Sequence, residues 1–218
     1  MHRNSPHIRK ADESSCTKLE ALYKRKAIHS VDSRRPSACY LVSDSRISWS
    51  HGHKWDSGQK LFSSSKFPDV FGYCGDVQFP TLALRQVLDR VDRGLLFPVG
   101  TPASDRSRII AAELAIAYRD YPAHGSDKST IMQFSRDNES GRSEFRLWRT
   151  DWSKSCALAS TELELPTESV LALTLGSGWK TLIHRNEEWK AAQGRTSRCI
   201  FSSFCEAISS NEDPLSAV

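Results

Sequence analysis

No stretch of the 218 residues stays apolar for the roughly twenty positions that a membrane-spanning helix needs. The opening segment, MHRNSPHIRKADESS, also lacks the apolar run of a secretory signal. A cytoplasmic protein with no membrane partner is therefore expected. Charge of one sign is scarce as well: 30 basic against 26 acidic residues leave a net charge of +4, scattered along the chain. That excess gives nucleic acid no footprint, and the densest basic run, Lys24-Arg25-Lys26, reads as a solvated turn. The six cysteines are Cys16, Cys39, Cys74, Cys156, Cys199 and Cys205, and they contain no C-x-x-C pair. His51-Gly52-His53 has no third ligand at a sensible spacing, so neither a metal nor a cofactor is expected. Cys39, Cys74, Cys199 and Cys205 sit among apolar neighbours and are expected as buried, reduced thiols.

What remains is ordinary globular composition, 39% hydrophobic and 26% charged, at a length that suits one large domain. Residues 1–15 are polar and without periodicity, as in a disordered arm. TKLEALY alternates, with Leu19, Ala21 and Tyr23 on one face of a strand. A long polar connection leads to ACYLVSD, a buried strand. RISWSHGHKWDSGQ is turn-rich, and KLFSSSKF and DVFGYCG read as short strands. Val77, Leu84, Val87, Leu88 and Val91 then recur at helical spacing, with Pro80 in the first turn. Ser104 is expected to cap a second helix, striped by Ile109, Ala112, Leu114, Ala115 and Tyr118 and stopped at Pro122. STIMQFSRD and SEFRLWRTD flank the hairpin turn NESGR, and CALASTELELP and SVLALTLGSG are further strands. WKTLIHRNEEWKAAQ is compatible with a helix, and Ile200, Phe204 and Ile208 share a face of another from about Ser197 to Ser209. Trp49, Trp55, Trp148 and Trp152 read as strand packing and interface residues. Strands, two helices, strands and one or two helices bury their faces best as two antiparallel sheets packed together with helices outside them.

Four segments in this order carry a family resemblance: Ser43-Asp44-Ser45-Arg46 after the second strand; Lys60-Leu61-Phe62, with Lys60 sixteen residues after Asp44; Gly72-Tyr73-Cys74-Gly75-Asp76 before the first helix; and Leu175-Gly176-Ser177-Gly178 after a late strand. Asp213-Pro214-Leu215-Ser216 is a weaker fifth. The set resembles the proteasome β subunits and their bacterial relatives, which are N-terminal-nucleophile hydrolases. The resemblance implies an α+β fold, a four-layer αββα sandwich, over residues 17–218, preceded by an arm or propeptide over residues 1–16. It also implies amide-bond hydrolysis of a peptide or other amide substrate by a threonine peptidase, self-association or assembly with related subunits, and no cofactor.

By that resemblance Thr17, in Thr17-Lys18-Leu19-Glu20-Ala21, is the nucleophile, and its own freed α-amine is the base. An α-amine with a pKa near about 8 can accept a proton at neutral pH. Lys60, held by Asp44, would favour the neutral amine and a lowered hydroxyl pKa. The Gly75 N–H would stabilise the oxyanion, and Ser177, Asp213 and Ser216 would support the amine. Lys60→Ala is expected to abolish activity at little cost in stability.

Three features depart from the pattern. Thr17 lies twenty-seven residues before Asp44, against about sixteen in the family, so a long hairpin loop joins the first two strands. Cys16 stands where self-processed members carry glycine, which makes it a rival nucleophile. Val218 follows soon after Ser216, where the family continues into further strands. If the chain ends there, one sheet has an open edge, and poor solubility, association through that edge or reliance on a separately encoded continuation is expected. The alternatives are a catalytically inactive, proteasome-like structural subunit, an amidase acting on small amides, and an unrelated β-rich binding module.

Overall fold

The computed structural model describes residues 19–25, 38–48, 53–121, 128–139, 142–153, 156–166, 171–176, 178–193 and 197–209. Its strands are β1 (Leu19–Arg25), β2 (Ala38–Ser43), β3 (Ile47–Ser48), β4 (Lys54–Trp55), β5 (Leu61–Ser63), β6 (Asp69–Cys74), β7 (Lys128–Glu139), β8 (Arg142–Ser153) and β9 (Cys156–Leu163). Its helices are α1 (Gln78–Asp92), α2 (Ala103–Arg119), α3 (Trp179–Gln193) and α4 (Ser197–Ser209). The architecture is α+β, with an antiparallel five-stranded sheet in the order β5-β6-β7-β8-β9 and an antiparallel β1–β2 pair. β3 and β4 form a small ribbon within the segment read as turn-rich. No helix among the described residues is long and apolar enough to cross a membrane.

Alternation along the strands sorts the apolar side chains into three clusters. On one face of the large sheet, Phe71 and Tyr73 of β6, Ile131 of β7 and Trp152 of β8 pack with Phe79, Leu84, Val87 and Val91 of α1 and Ile110 and Leu114 of α2. Full burial of each large side chain contributes about 1.5–3 kcal/mol, so this cluster is the main source of stability. On the other face, Met132, Phe134 and Leu147 meet Cys39 and Leu41 of β2 and Leu165, Leu173 and Leu175. Val42, one step along β2 and so on its opposite face, packs with Leu182 of α3 and Ile200, Phe204 and Ala207 of α4.

Several local expectations are corrected. Ser104 does not cap α2: the Asp137 carboxylate of β7 accepts the Ala103 N–H through both oxygens at 2.9 Å, and Ser104 is exposed within the first turn. The buried stripe of α2 is Ala103, Arg106, Ser107, Ile110 and Leu114, while Ala112 faces solvent. The helix ends at Arg119, and Pro122 lies outside the described residues. The segment read as the strand SVLALTLGSG keeps only isolated bridges at Leu171 and Leu175 and is otherwise irregular over 171–176. Leu173 and Leu175 still pack against the sheet and Leu171 packs with α3 and α4, because an apolar run signals burial before it signals strand. The β1–β2 ladder passes from Glu20 opposite Val42 to Leu22 opposite Leu41, so Ala21 is bulged and the alternation of Leu19, Ala21 and Tyr23 is interrupted. Lys24 and Arg25 belong to β1 rather than to a turn. Cys199 is buried and Cys39 and Cys74 are half-buried, but Cys205 is exposed on α4. Trp148 and Trp152 are buried, Trp55 is exposed, and Trp49 lies outside the described residues.

Candidate functional site

Asp44 follows the last residue of β2, and Lys60 precedes the first residue of β5. The fold brings the two together: Lys60 Nζ donates to Asp44 Oδ1, with the two side chains 0% and 3% exposed. Removing two charges from water costs several kcal/mol per ion, and pairing is what makes their burial tolerable.

The chain between them is shaped to keep that contact. The Gly58 N–H donates to the Ser45 carbonyl at 2.8 Å, and a Cβ on Gly58 would stand 2.4 Å from Ile47 Cδ1. Only glycine fits this approach of 58 to 45–47. Ser45 Oγ donates to the Asp56 carbonyl. Arg46 grips the Asp56 carboxylate through Nε at 2.6 Å and Nη2 at 3.0 Å. That hydrogen-bonded guanidinium holds the Asp56 carboxyl below its ordinary value of 3.8, with the charges of Lys54 and Lys60 adding to it. Nothing in the sequence marks Arg46 and Asp56 as partners, since a turn-rich segment gives no signal for a pair ten residues apart.

β6 carries the site to α1. Gly75 has φ 96°, a left-handed conformation that a residue with a Cβ adopts only under strain. Asp76 follows it, donates its N–H to Ser129 Oγ at 2.6 Å, and accepts the N–H groups of Gln78 at 3.0 Å and Phe79 at 3.3 Å. Asp76 thus caps α1, with its negative charge at the positive end of the helix. Tyr73 is fully buried. Its hydroxyl donates to the Gln59 carbonyl at 3.2 Å and lies 3.0 Å from the Thr81 hydroxyl, whose one proton is shared between the phenol and the Val77 carbonyl at 2.6 Å. Burial raises the Tyr73 pKa, the Thr81 hydrogen bond lowers it, and the Asp76 and Asp44 carboxylates raise it further; the net shift is upward. The phenol therefore stays protonated and remains a donor at neutral pH.

Of the seven residues that the sequence nominated, Asp44 and Lys60 meet in a direct ion pair, and Gly75 occupies a turn linked to them through Tyr73. Thr17, Ser177, Asp213 and Ser216 lie outside the described residues, as do Cys16 and His51. Among the described residues, no three His, Cys, Asp or Glu side chains cluster as metal ligands would. A surface trough of about 290 Å³, lined by Phe145, Arg146, Glu162 and Leu165, lies at the β8–β9 side of the sheet, away from the β5 edge that carries Lys60.

What the described part of the site provides is a buried, hydrogen-bonded ammonium at a strand end and a backbone turn fixed in a demanding conformation. Such an ammonium can hold a neighbouring amine neutral or draw a hydroxyl toward ionisation, which are tasks of amide hydrolysis. No protein-family model matches the chain, and no curated protein matches it.

Proposed function

We propose that the chain is a threonine-type endopeptidase or amidase of the proteasome-like N-terminal-nucleophile group, built as a four-layer αββα sandwich. The observation that carries this reading is the buried Lys60–Asp44 pair, sixteen residues apart, with the lysine at the entrance of β5. The packing order supports the architecture: α1 and α2 lie against one face of the large sheet, β2 lies against the other, and α3 and α4 lie beyond β2. In this reading, removal of residues 1–16 frees the Thr17 amine. The Thr17 hydroxyl gives its proton to that amine and attacks the carbonyl carbon of the substrate amide, and the resulting oxyanion is held by the Gly75 N–H. The leaving amine takes the proton, and water then releases the acyl group from Thr17.

Intact-mass measurement and electrophile labelling test this directly. Loss of residues 1–16, hydrolysis of a peptidyl-amide reporter and an electrophile adduct on the N-terminal residue are expected, and Thr17→Ala abolishes the hydrolysis with the fold intact. Labelling at Cys16, with activity lost in Cys16→Ala and kept in Thr17→Ala, would assign the nucleophile to Cys16. The second reading, an inactive structural subunit of the same fold, draws on Cys16 standing before Thr17. It predicts an uncut chain that takes up no label.

A further inference from the structure

We infer that Tyr73 is a positioning residue of the candidate site: its phenol pins the Gln59–Lys60 peptide to β6 and α1, so that the Lys60–Asp44 pair keeps a fixed setting beside the Gly75–Asp76 turn. The inference rests on the reading of Lys60 and Gly75 as site residues.

Tyr73 lies in a cluster made almost wholly of carbon, with Phe62, Phe71 and Leu84 among its members. Phenylalanine would fill the same space. A hydroxyl buried there costs about 1–3 kcal/mol unless it is satisfied, and its two partners come from the loop before β5 and from α1. Gln59 offers its carbonyl, and that carbonyl shares a rigid peptide plane with the Lys60 nitrogen. Holding the oxygen therefore sets the direction in which the Lys60 Cα leaves the backbone. Thr81 belongs to α1, whose first turn Asp76 caps. The phenol is the shared point of three pieces: the approach to β5, strand β6 and the start of α1.

Packing alone does not need this oxygen, so removing it separates positioning from core filling. The test uses the full-length chain with the Tyr73→Phe substitution, its lysines labelled with 15N. Three results are expected: a Tm lowered by a few degrees, a Lys60 ammonium resonance that moves or broadens, and, on the peptidyl-amide reporter, kcat about tenfold lower with KM unchanged. An unmoved Lys60 resonance together with an unchanged kcat overturns the inference. If the unaltered chain hydrolyses nothing and takes up no electrophile, the catalytic reading falls on its own, and the resonance alone decides the role of Tyr73. Should Tyr73→Phe not fold, Thr81→Val withdraws the second anchor of the phenol and is judged on the same resonance: movement supports the inference, and its absence overturns it.

Discussion

Two ion pairs are shut away from water on either side of strand β6, and they are built in opposite ways. At one end of the strand, Arg106 of α2 meets Asp69 with two nitrogens, at 2.8 and 3.2 Å. It also donates to the Thr101 carbonyl at 2.7 Å and to Asp137 at 3.3 Å, and its guanidinium stands 5.6 Å from the centre of the Phe67 ring. Asp69 in turn accepts the Ser135 hydroxyl. Near the other end, Lys60 presents a single point charge to one oxygen of Asp44. Arginine cannot give up its proton in a protein, and its planar fork divides its bonds among several partners; lysine is compact and can exchange protons when its surroundings are tuned. The first arrangement is that of a strut, and the second is compatible with the role proposed for Lys60.

Neutralising both partners of each pair has the largest expected effect and tells the two pairs apart. Asp69→Asn with Arg106→Met is expected to remain about 3 kcal/mol or more less stable than the parent in urea unfolding, because the Thr101 carbonyl loses the guanidinium donor and the Asp137 carboxylate loses its charge partner, keeping only the Ala103 N–H. Asp44→Asn with Lys60→Met is expected to recover to within about 1 kcal/mol of the parent, with the hydrolysis proposed above lost, since a buried pair is often replaceable by neutral groups of similar size. If both doubles recover equally, the two pairs are of one kind.

Lys60→Ala alone comes next. The sequence reading expected little cost in stability, but the complete burial of Lys60 beside Asp44 revises this to a loss of about 3 kcal/mol, because the substitution strands a buried carboxylate. An unfolding midpoint like that of the parent would mean that Asp44 takes up a proton or water when Lys60 is gone.

The smallest effect concerns a partly exposed carboxylate. Burial works to raise the Asp92 pKa, but hydrogen bonds from the Ser64 hydroxyl, the Ser65 N–H and hydroxyl, and the Lys66 N–H outweigh it and hold the value below 3.8. A depressed folded pKa gives stability that is present above the unfolded value and lost as pH falls through the folded one. Asp92→Asn is therefore expected to cost about 1 kcal/mol near neutral pH and almost nothing below the folded pKa. A gap between the two denaturation curves that stays constant down to pH 2 would contradict this.

How much of this could be read from the sequence depended on distance along the chain. β2, β5, β6 and all four helices were visible because each is signalled within its own ten to fifteen residues. Asp44, Lys60 and Gly75 were visible only as an ordered set. The Arg106 network was not, because Asp69, Arg106 and Asp137 come from three elements and nothing local links them. On α2, Leu114, Ile109 and Tyr118 of the expected stripe do pack on the core, but Arg106, Ser107 and Ile110 share the buried face and Ala112 faces solvent. Ser104 looked like a cap because serine caps helices, yet a carboxylate thirty-four residues downstream, on β7, reaches the Ala103 N–H. Tyr73 lies within Gly72-Tyr73-Cys74-Gly75-Asp76, but its partners become apparent only once Gln59 and Thr81 are brought beside it.

The β7–β8 hairpin has a consequence for the order of assembly. Twelve residues on each strand pair in unbroken register from Lys128 opposite Ser153 to Glu139 opposite Arg142, so only two residues lie between the innermost partners. Such a ribbon closes on the scale of about 1–10 μs. Strand β6, by contrast, reaches β7 only after a detour through α1 and α2, Cys74 pairing with Thr130, and closing that longer loop costs more entropy before any contact repays it. The hairpin is therefore expected to form first and to template the rest of the sheet. Substitutions at Leu147 are expected to slow refolding by most of their equilibrium effect, and those at Leu61, on the three-residue edge strand, are expected to act mainly on the unfolding rate.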